Sequence, residues 1–103
     1  MGPPQLTPEQ RALALQKAAE ARRKRAEIKE LLKNNTITLP ELFERAESDD
    51  HVAGMKVKAV LAALPGLGKV KSQRLMVELE IAENRRVRGL GARQREALLA
   101  ALS

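Results

Sequence analysis

The stretch Leu64–Met76, "LPGLGKVKSQRLM", holds the end of one helix, a glycine-containing turn and the start of another helix. Pro65 ends the first helix because the residue before a proline is driven out of the helical region. Gly66 and Gly68 lack a Cβ, so the turn can adopt conformations closed to other residues. Apolar residues then recur at helical spacing and predict a second helix that closes near Ile81. They are Val70, Leu75, Met76 and Leu79.

A long helix is predicted upstream, over "TPEQRALALQKAAEARRKRAEIKELLK". Thr7 and Gln10 have the spacing of a capping box, and Pro8 suits the first helical position. Strong helix formers continue to about Lys33, and either asparagine of the pair that follows can take the left-handed conformation that ends a helix. The first half of this helix is rich in alanine and thinly apolar, so we expect it to project partly from the body.

The remaining helices are shorter. Thr38 and Glu41 form a second capping-box pair and start a helix, and residues 48–50 offer the cap of a segment that runs to Leu64. "ARQREALLAAL" forms the last helix, and no stretch alternates as a strand does. The residues expected to face inward in the second and last helices are Leu42, Phe43, Ala46, Leu98, Leu99 and Leu102.

These elements predict an all-α protein with a long N-terminal helix followed by a compact bundle of about four helices. At 103 residues the chain is expected to form one structural domain. Within it, residues 1–35 form the basic, partly projecting helix, and residues 36–103 form the compact part.

The composition excludes several classes of function. The chain has no cysteine and one histidine, His51, so thiolate and histidine-cluster metal sites are excluded, and neither a metal nor a cofactor is expected. No apolar run reaches the ~20 residues of a membrane span, and "MGPPQLTPEQ" lacks a signal-peptide pattern. We therefore expect a cytoplasmic protein.

The charge balance points to a polyanionic partner. Lys and Arg number 19 against 13 Asp and Glu, a formal net charge of +6. Phe43 is the only aromatic residue, which argues against modules that stack unpaired bases on aromatic side chains. The expected target is therefore the phosphate backbone and a groove of a double-stranded nucleic acid.

The glycine turn suits a phosphate. Free backbone N–H groups at a helix start favour an anion, and glycines let it approach the main chain. Lys69 and Lys71 add charge, and Leu67 can anchor the turn inward. The spacing does not match a P-loop or a dinucleotide fingerprint, so a nucleotide enzyme fits poorly. The alternative is a tight helix connection without a ligand.

Two further basic stretches are candidates. "RRVRGLGARQR" repeats the Gly-Leu-Gly tripeptide and concentrates arginines that can make bidentate phosphate contacts or enter a narrow minor groove, the alternative being a solvated cluster. These arginines are Arg85, Arg86, Arg88, Arg93 and Arg95. "ARRKR", at residues 21–25, is less specific because consecutive helical residues fan around the axis.

The residues of the glycine turn also carry a family resemblance. "LPGLGKVKSQRLMVELEI" resembles the helix–two-turns–helix and helix–hairpin–helix modules of DNA-repair glycosylases and of one small-subunit ribosomal protein. Nearly the whole chain, with its long helix, glycine turn and "RRVRGLG" in that order, is similar to the actinobacterial integration host factors. These are unrelated in fold to the β-arm DNA-bending proteins of other bacteria that share the name.

The resemblance implies a monomeric, nucleoid-associated protein that binds double-stranded DNA with little sequence preference. It also implies that the protein bends or compacts DNA and assists a phage integrase in site-specific recombination. Pro65 would act as an apolar wedge at a base step. The candidate DNA-binding residues are Pro65, Gly66, Leu67, Gly68, Lys69, Val70, Lys71, Arg85, Arg86, Arg88 and Arg93. A second candidate DNA surface holds Arg22, Arg23, Arg25 and Lys56.

Other functions remain to be separated from this one. The ribosomal relative of the module makes binding of structured or ribosomal RNA the main alternative. A DNA glycosylase fits poorly, because a chain of this length leaves little room for a domain that extrudes and excises a base. A coiled coil built on the first helix is disfavoured by its sparse apolar stripe.

Overall fold

The computed structural model describes residues 7–102, and within them the chain is all-α, as predicted. The N-terminal pattern at residues 1–6 lies outside the described part. The helices are α1 (Pro8–Lys33), α2 (Leu39–Ser48), α3 (Asp50–Ala53), α4 (Val57–Ala63), α5 (Gly68–Glu78) and α6 (Ala92–Leu102), with a 3-10 turn at Val87–Gly89. None of these helices is long and apolar enough to cross a membrane.

Both predicted capping boxes are confirmed. The Gln10 N–H donates to Thr7 Oγ1 at 3.1 Å, and the Thr7 N–H donates to Gln10 Oε1 at 3.0 Å. Thr38 and Glu41 make the same reciprocal pair at 3.4 and 3.2 Å at the start of α2. Such pairs satisfy N–H groups that would otherwise lack a partner at a helix start. Asn35 follows α1 with φ 58°, so a left-handed residue follows the helix as expected.

Helix α1 is only partly packed. Every residue of its first half, Pro8–Glu20, is exposed, whereas Ile28 and Leu32 near its C-terminal end are buried. The radius of gyration is 15.9 Å, compared with about 13 Å expected for a compact chain of this length. The larger radius reflects the exposed first half of α1, Pro8–Glu20, which we call the free half. The division of the chain near residue 35 stays a prediction.

The core lies where the short helices close on the C-terminal half of α1. Met55 and Leu61 bring the α3–α4 region into it, and Leu98 brings α6. Phe43 is buried in α2, as predicted. The buried residues of the core are Ile28, Leu32, Ile37, Leu39, Leu42, Phe43, Val52, Met55, Val57, Val60, Leu61, Met76, Ile81, Val87, Leu90 and Leu98.

The segment that starts at residue 50 is two helices rather than one. Asp49 caps α3 by accepting the His51 N–H at 2.9 Å, but α3 stops at Ala53 and α4 begins at Val57. The break has a non-local cause. The Val57 N–H donates to the Arg85 carbonyl, and the Val87 N–H donates to the Met55 carbonyl, both at 2.9 Å. These bonds pair residues 55–57 with residues 85–87 in an antiparallel bridge. Residues 85–87 belong to the basic segment between α5 and α6, residues 82–91, which we call the basic link.

Helix α5 differs from the prediction at two places. It ends at Glu78 rather than near Ile81, because Glu80 adopts φ 56° and the Ile81 N–H donates back to the Met76 carbonyl at 2.8 Å. Val70, one of the four apolar residues that predicted this helix, is 70% exposed and therefore does not pack in the core.

Candidate nucleic-acid interface

The glycine turn joins α4 to α5 through two left-handed residues. Leu64 leaves the helix with an extended backbone (ψ 139°), as expected before Pro65. Gly66 and Gly68 follow with φ 78° and 73°, and nothing lies within 4 Å of where a Cβ would stand at either position. The backbone of the turn is therefore open to solvent and accessible to a ligand.

Two side chains fix the turn from inside. Leu67 packs against the core cluster, which confirms its prediction as an anchor. Ser72 is 0% exposed, and its hydroxyl donates to the Gly68 carbonyl. Pro65, Gly66, Lys69, Val70 and Lys71 remain exposed around them. Sequence reasoning missed Ser72, although a small polar residue four positions after Gly68 was a usable signal for a bond back to the helix start.

The second Gly-Leu-Gly is a different structure. Gly89 and Gly91 are not left-handed, and Leu90 between them is buried. Gln94 accepts the Gly91 N–H at 3.2 Å and donates to the Glu80 carbonyl at 3.2 Å, so a side chain already occupies the start of α6. The two tripeptides have the same sequence, but only the first has the open backbone that a phosphate could approach.

The basic link is tied to the α3–α4 loop. The Arg86 guanidinium donates to the Gly54 carbonyl, which adds a side-chain contact to the bridge between Lys56 and Arg86. Lys58 and Glu83 form an ion pair at 2.8 Å, and the hydrogen bond from Lys58 lowers the pKa of the Glu83 carboxyl. The link is therefore held in place although it lacks regular structure.

This arrangement creates a groove between α1 and α4. Five cations and no carboxylate line it: Arg22, Arg25, Lys29, Lys56 and Arg86. A second groove continues from Lys29 and Ala59 to Lys33, Pro65, Gly66 and Gly68, with Glu30 as its one acid. We call the two together the basic groove, since Lys29 and Ala59 line both.

The basic groove brings together residues that the sequence analysis assigned to two different DNA surfaces. Arg86 lies with Arg22, Arg25 and Lys56, which the sequence assigned to a separate surface, and Arg23 does not line the groove. Sequence reasoning also missed Lys29 and Lys33. Their signal was the repeated four-residue spacing from Arg25 to Lys29 and from Lys29 to Lys33 along α1, which keeps side chains on one helix face.

The other arginines of the basic stretch have different surroundings. Arg85 is half-buried, and its Nη1 donates to the Gly89 carbonyl at 3.1 Å. Arg88 and Arg93 are exposed. Arg95 lies over the Phe43 ring, 5.0 Å from its centroid, and therefore packs on α2. The five arginines do not form one open cluster.

The contrast between the two tripeptides gives a prediction. Gly68→Ala forces an alanine to φ 73° and should cost about 1–2 kcal/mol of folding free energy, measured by urea denaturation. If the turn contacts phosphate, the distortion also weakens nucleic-acid binding. Gly91→Ala is the matched control, because its Cβ would meet only Gln94 Oε1 at 3.9 Å. Equal effects of the two changes would contradict the special role of the first turn.

Comparisons with known proteins agree with this architecture. Residues 32–102 match the family described as the S13-like H2TH domain. The chain is 60% identical over 99 residues to the integration host factor of Mycobacterium tuberculosis, covering 96% of this chain and 94% of the relative. It is 52% identical over 94 residues to that of Streptomyces coelicolor, covering 91% and 88%. A solved structure of sIHF bound to an 8-bp palindromic DNA matches with a TM-score of 0.82 and 44% identity, over 85% of this chain and 99% of that chain.

Proposed function

Because the chain belongs to the integration host factor family of actinobacteria, we propose that it is a non-enzymatic architectural protein that binds double-stranded DNA. The observation that carries the proposal is the basic groove, which six cations and a single acid, Glu30, line and which reaches the open glycine turn. The DNA in the related solved structure supports the same partner.

Each part of the interface has a proposed task. The free backbone of Gly66 and Gly68 lets a phosphate approach, and Lys69 and Lys71 hold it by charge. Pro65 is exposed and would act as the wedge at a base step, which is how minor-groove architectural proteins kink DNA. Leu67 and Val70 complete the turn. We propose that the minor-groove contacts are made by Arg85, Arg86, Arg88 and Arg93. The proposed second DNA surface consists of Arg22, Arg23, Arg25 and Lys56.

This interface contacts mostly phosphate, which carries no sequence information directly. We therefore propose binding with low sequence specificity, and bending or compaction of the bound DNA. Bending a site costs on the order of 1–6 kcal/mol, which added contacts to the basic groove would offset. The protein would act as a monomer in the cytoplasm, associated with the nucleoid. The name carried by its relatives supports a phage integrase as a protein partner in recombination.

RNA is the competing partner, since the matched family is described as S13-like and the module resembles one of a ribosomal protein. The test is a gel-shift competition between a mixed-sequence DNA duplex and an RNA duplex of equal length. We expect the DNA to compete more strongly, because the proposed wedge and minor-groove contacts need the narrow minor groove of B-form DNA. Stronger competition by RNA would overturn the DNA assignment.

The variant that tests the turn lacks both lysines, as Lys69→Ala with Lys71→Ala. It should weaken DNA binding by about tenfold or more at low salt, since each lost phosphate contact removes counterion release. The matched control is Arg45→Ala with Arg74→Ala, which removes the same charge at exposed residues of α2 and α5 that do not line the basic groove. If both double variants lose affinity equally, only total charge matters and the turn has no special part.

A further inference from the structure

The face of α1 that lines the basic groove continues into the free half of the helix. Arg22, Arg25 and Lys29 line the groove at spacings of three and four residues. Continuing the same spacing toward the N-terminus leads to Ala18, Leu15 and Arg11, all exposed. Leu15 is 63% exposed, so a large apolar side chain stands in a row of cations without a partner in the fold.

The acids of the free half lie on the opposite side of the helix. Glu9 and Glu20 each precede a basic-face arginine by two residues, which is more than half a turn. Leu13 precedes Leu15 by two residues and is therefore also on the opposite face, where it is 54% exposed. From Arg11 to Arg22, helix α1 thus presents one face that has an arginine at each end, Leu15 and Ala18 between them, and no carboxylate on it.

The dimensions of this face fit the major groove of DNA. A helix with its side chains is about 10–12 Å wide, which matches a major groove of about 12 Å and exceeds a minor groove of about 6 Å. Arg11 and Arg22 are eleven residues apart, or about 16 Å along the axis. Arg11 and Arg22 point in the same direction as Leu15, so their long side chains turn aside to the phosphates that border the groove while the shorter Leu15 side chain faces the base edges. The apolar group that bases offer in the major groove is the thymine methyl.

We propose that the free half of α1 enters the major groove and that Leu15 contacts thymine methyl groups, flanked by phosphate contacts from Arg11 and Arg22. The inference rests on the proposed DNA-binding function and adds a base-contacting residue to it. A thymine methyl is present in every A·T pair, so the contact gives a weak preference for A·T-containing DNA rather than a defined site.

The experiment compares two duplexes of one sequence that differ only in the base opposite adenine. One contains thymine and the other uracil, which lacks the methyl group. We expect the wild type to bind the thymine duplex more tightly, by about fourfold for each methyl that becomes buried. Leu15→Ala should bind both duplexes equally, and the matched variant Leu13→Ala should keep the wild-type ratio. Both changes are at exposed helical positions, and circular dichroism checks that the fold is retained.

The outcomes separate this inference from the function on which it rests. Equal wild-type affinity for the two duplexes, or an unchanged ratio in Leu15→Ala, overturns the methyl contact while leaving DNA binding intact. Loss of the ratio in Leu13→Ala as well overturns the face assignment. A wild type that binds neither duplex overturns the DNA-binding function and the inference together. A Leu15→Ala variant that bends DNA less but keeps the thymine preference would indicate a minor-groove wedge, which contradicts the proposal.

Discussion

Affinity for duplex DNA is expected to fall by roughly 10³–10⁵-fold between about 50 and 200 mM salt, if six to ten phosphates are contacted. The physical reason is counterion release, because each phosphate that meets a cation frees ions condensed on the DNA. The proposed interface supplies enough cations for this range. They are Lys69, Lys71, Arg85, Arg86, Arg88, Arg93, Arg22, Arg23, Arg25 and Lys56.

The slope of affinity against salt measures the number of contacts. Each phosphate contributes about 0.9 to the slope of log K against log salt, so removal of Lys69 and Lys71 should reduce the slope by about two. Fluorescence anisotropy over a salt series gives the slope for both proteins. The Arg45 and Arg74 double variant should keep the wild-type slope. A flat wild-type response would mean that phosphate contacts do not hold the complex.

The largest effect on stability is expected from Leu61→Ala in α4. Leu61 is 0% exposed within the core between α1 and α5. Its truncation removes buried apolar surface and leaves a cavity, which should lower the free energy of unfolding by about 2–5 kcal/mol. That is a large fraction of the stability of a domain of this size. Urea denaturation measures the change directly.

The control is the same leucine-to-alanine substitution at an exposed position. Leu13→Ala on the free half of α1 removes an exposed side chain and should change the free energy of unfolding by less than about 0.5 kcal/mol. A loss of under about 1 kcal/mol in Leu61→Ala would show that the α4 core relaxes to fill the space. The proposed DNA contacts do not include Leu61, so the folded fraction of the variant should still bind.

The parts of the fold set by local chemistry were predictable. Thr7 with Gln10 and Thr38 with Glu41 specify helix starts by bonds within one turn, and Pro65 specifies a helix end on its own. The break between α3 and α4 was not predictable, because residues 55–57 leave the helix to pair with a segment about thirty positions away. Single-sequence periodicity carries no information about such a partner.

The candidate site likewise has one part that was predictable from the sequence and another that was not. The openness of the glycine turn follows from the residues themselves, whereas the basic groove needs α4 to lie against α1 before Arg86 can meet Arg22. The second Gly-Leu-Gly looked equivalent in sequence. Gln94 and Arg85 make it different, since their side chains bond to the backbone around it. The environment that distinguishes the two copies forms only in the folded chain.

The antiparallel bridge between residues 55–57 and 85–87 also determines how the molecule opens. Its two backbone bonds close a chain loop that contains α4, the glycine turn and α5. The basic link cannot detach from the start of α4 while the bridge is intact, so the amide hydrogens of Val57 and Val87 should exchange with solvent in one event. The basic link and the start of α4 therefore belong to one cooperative unit, separate from the free half of α1, which can fray without disturbing it.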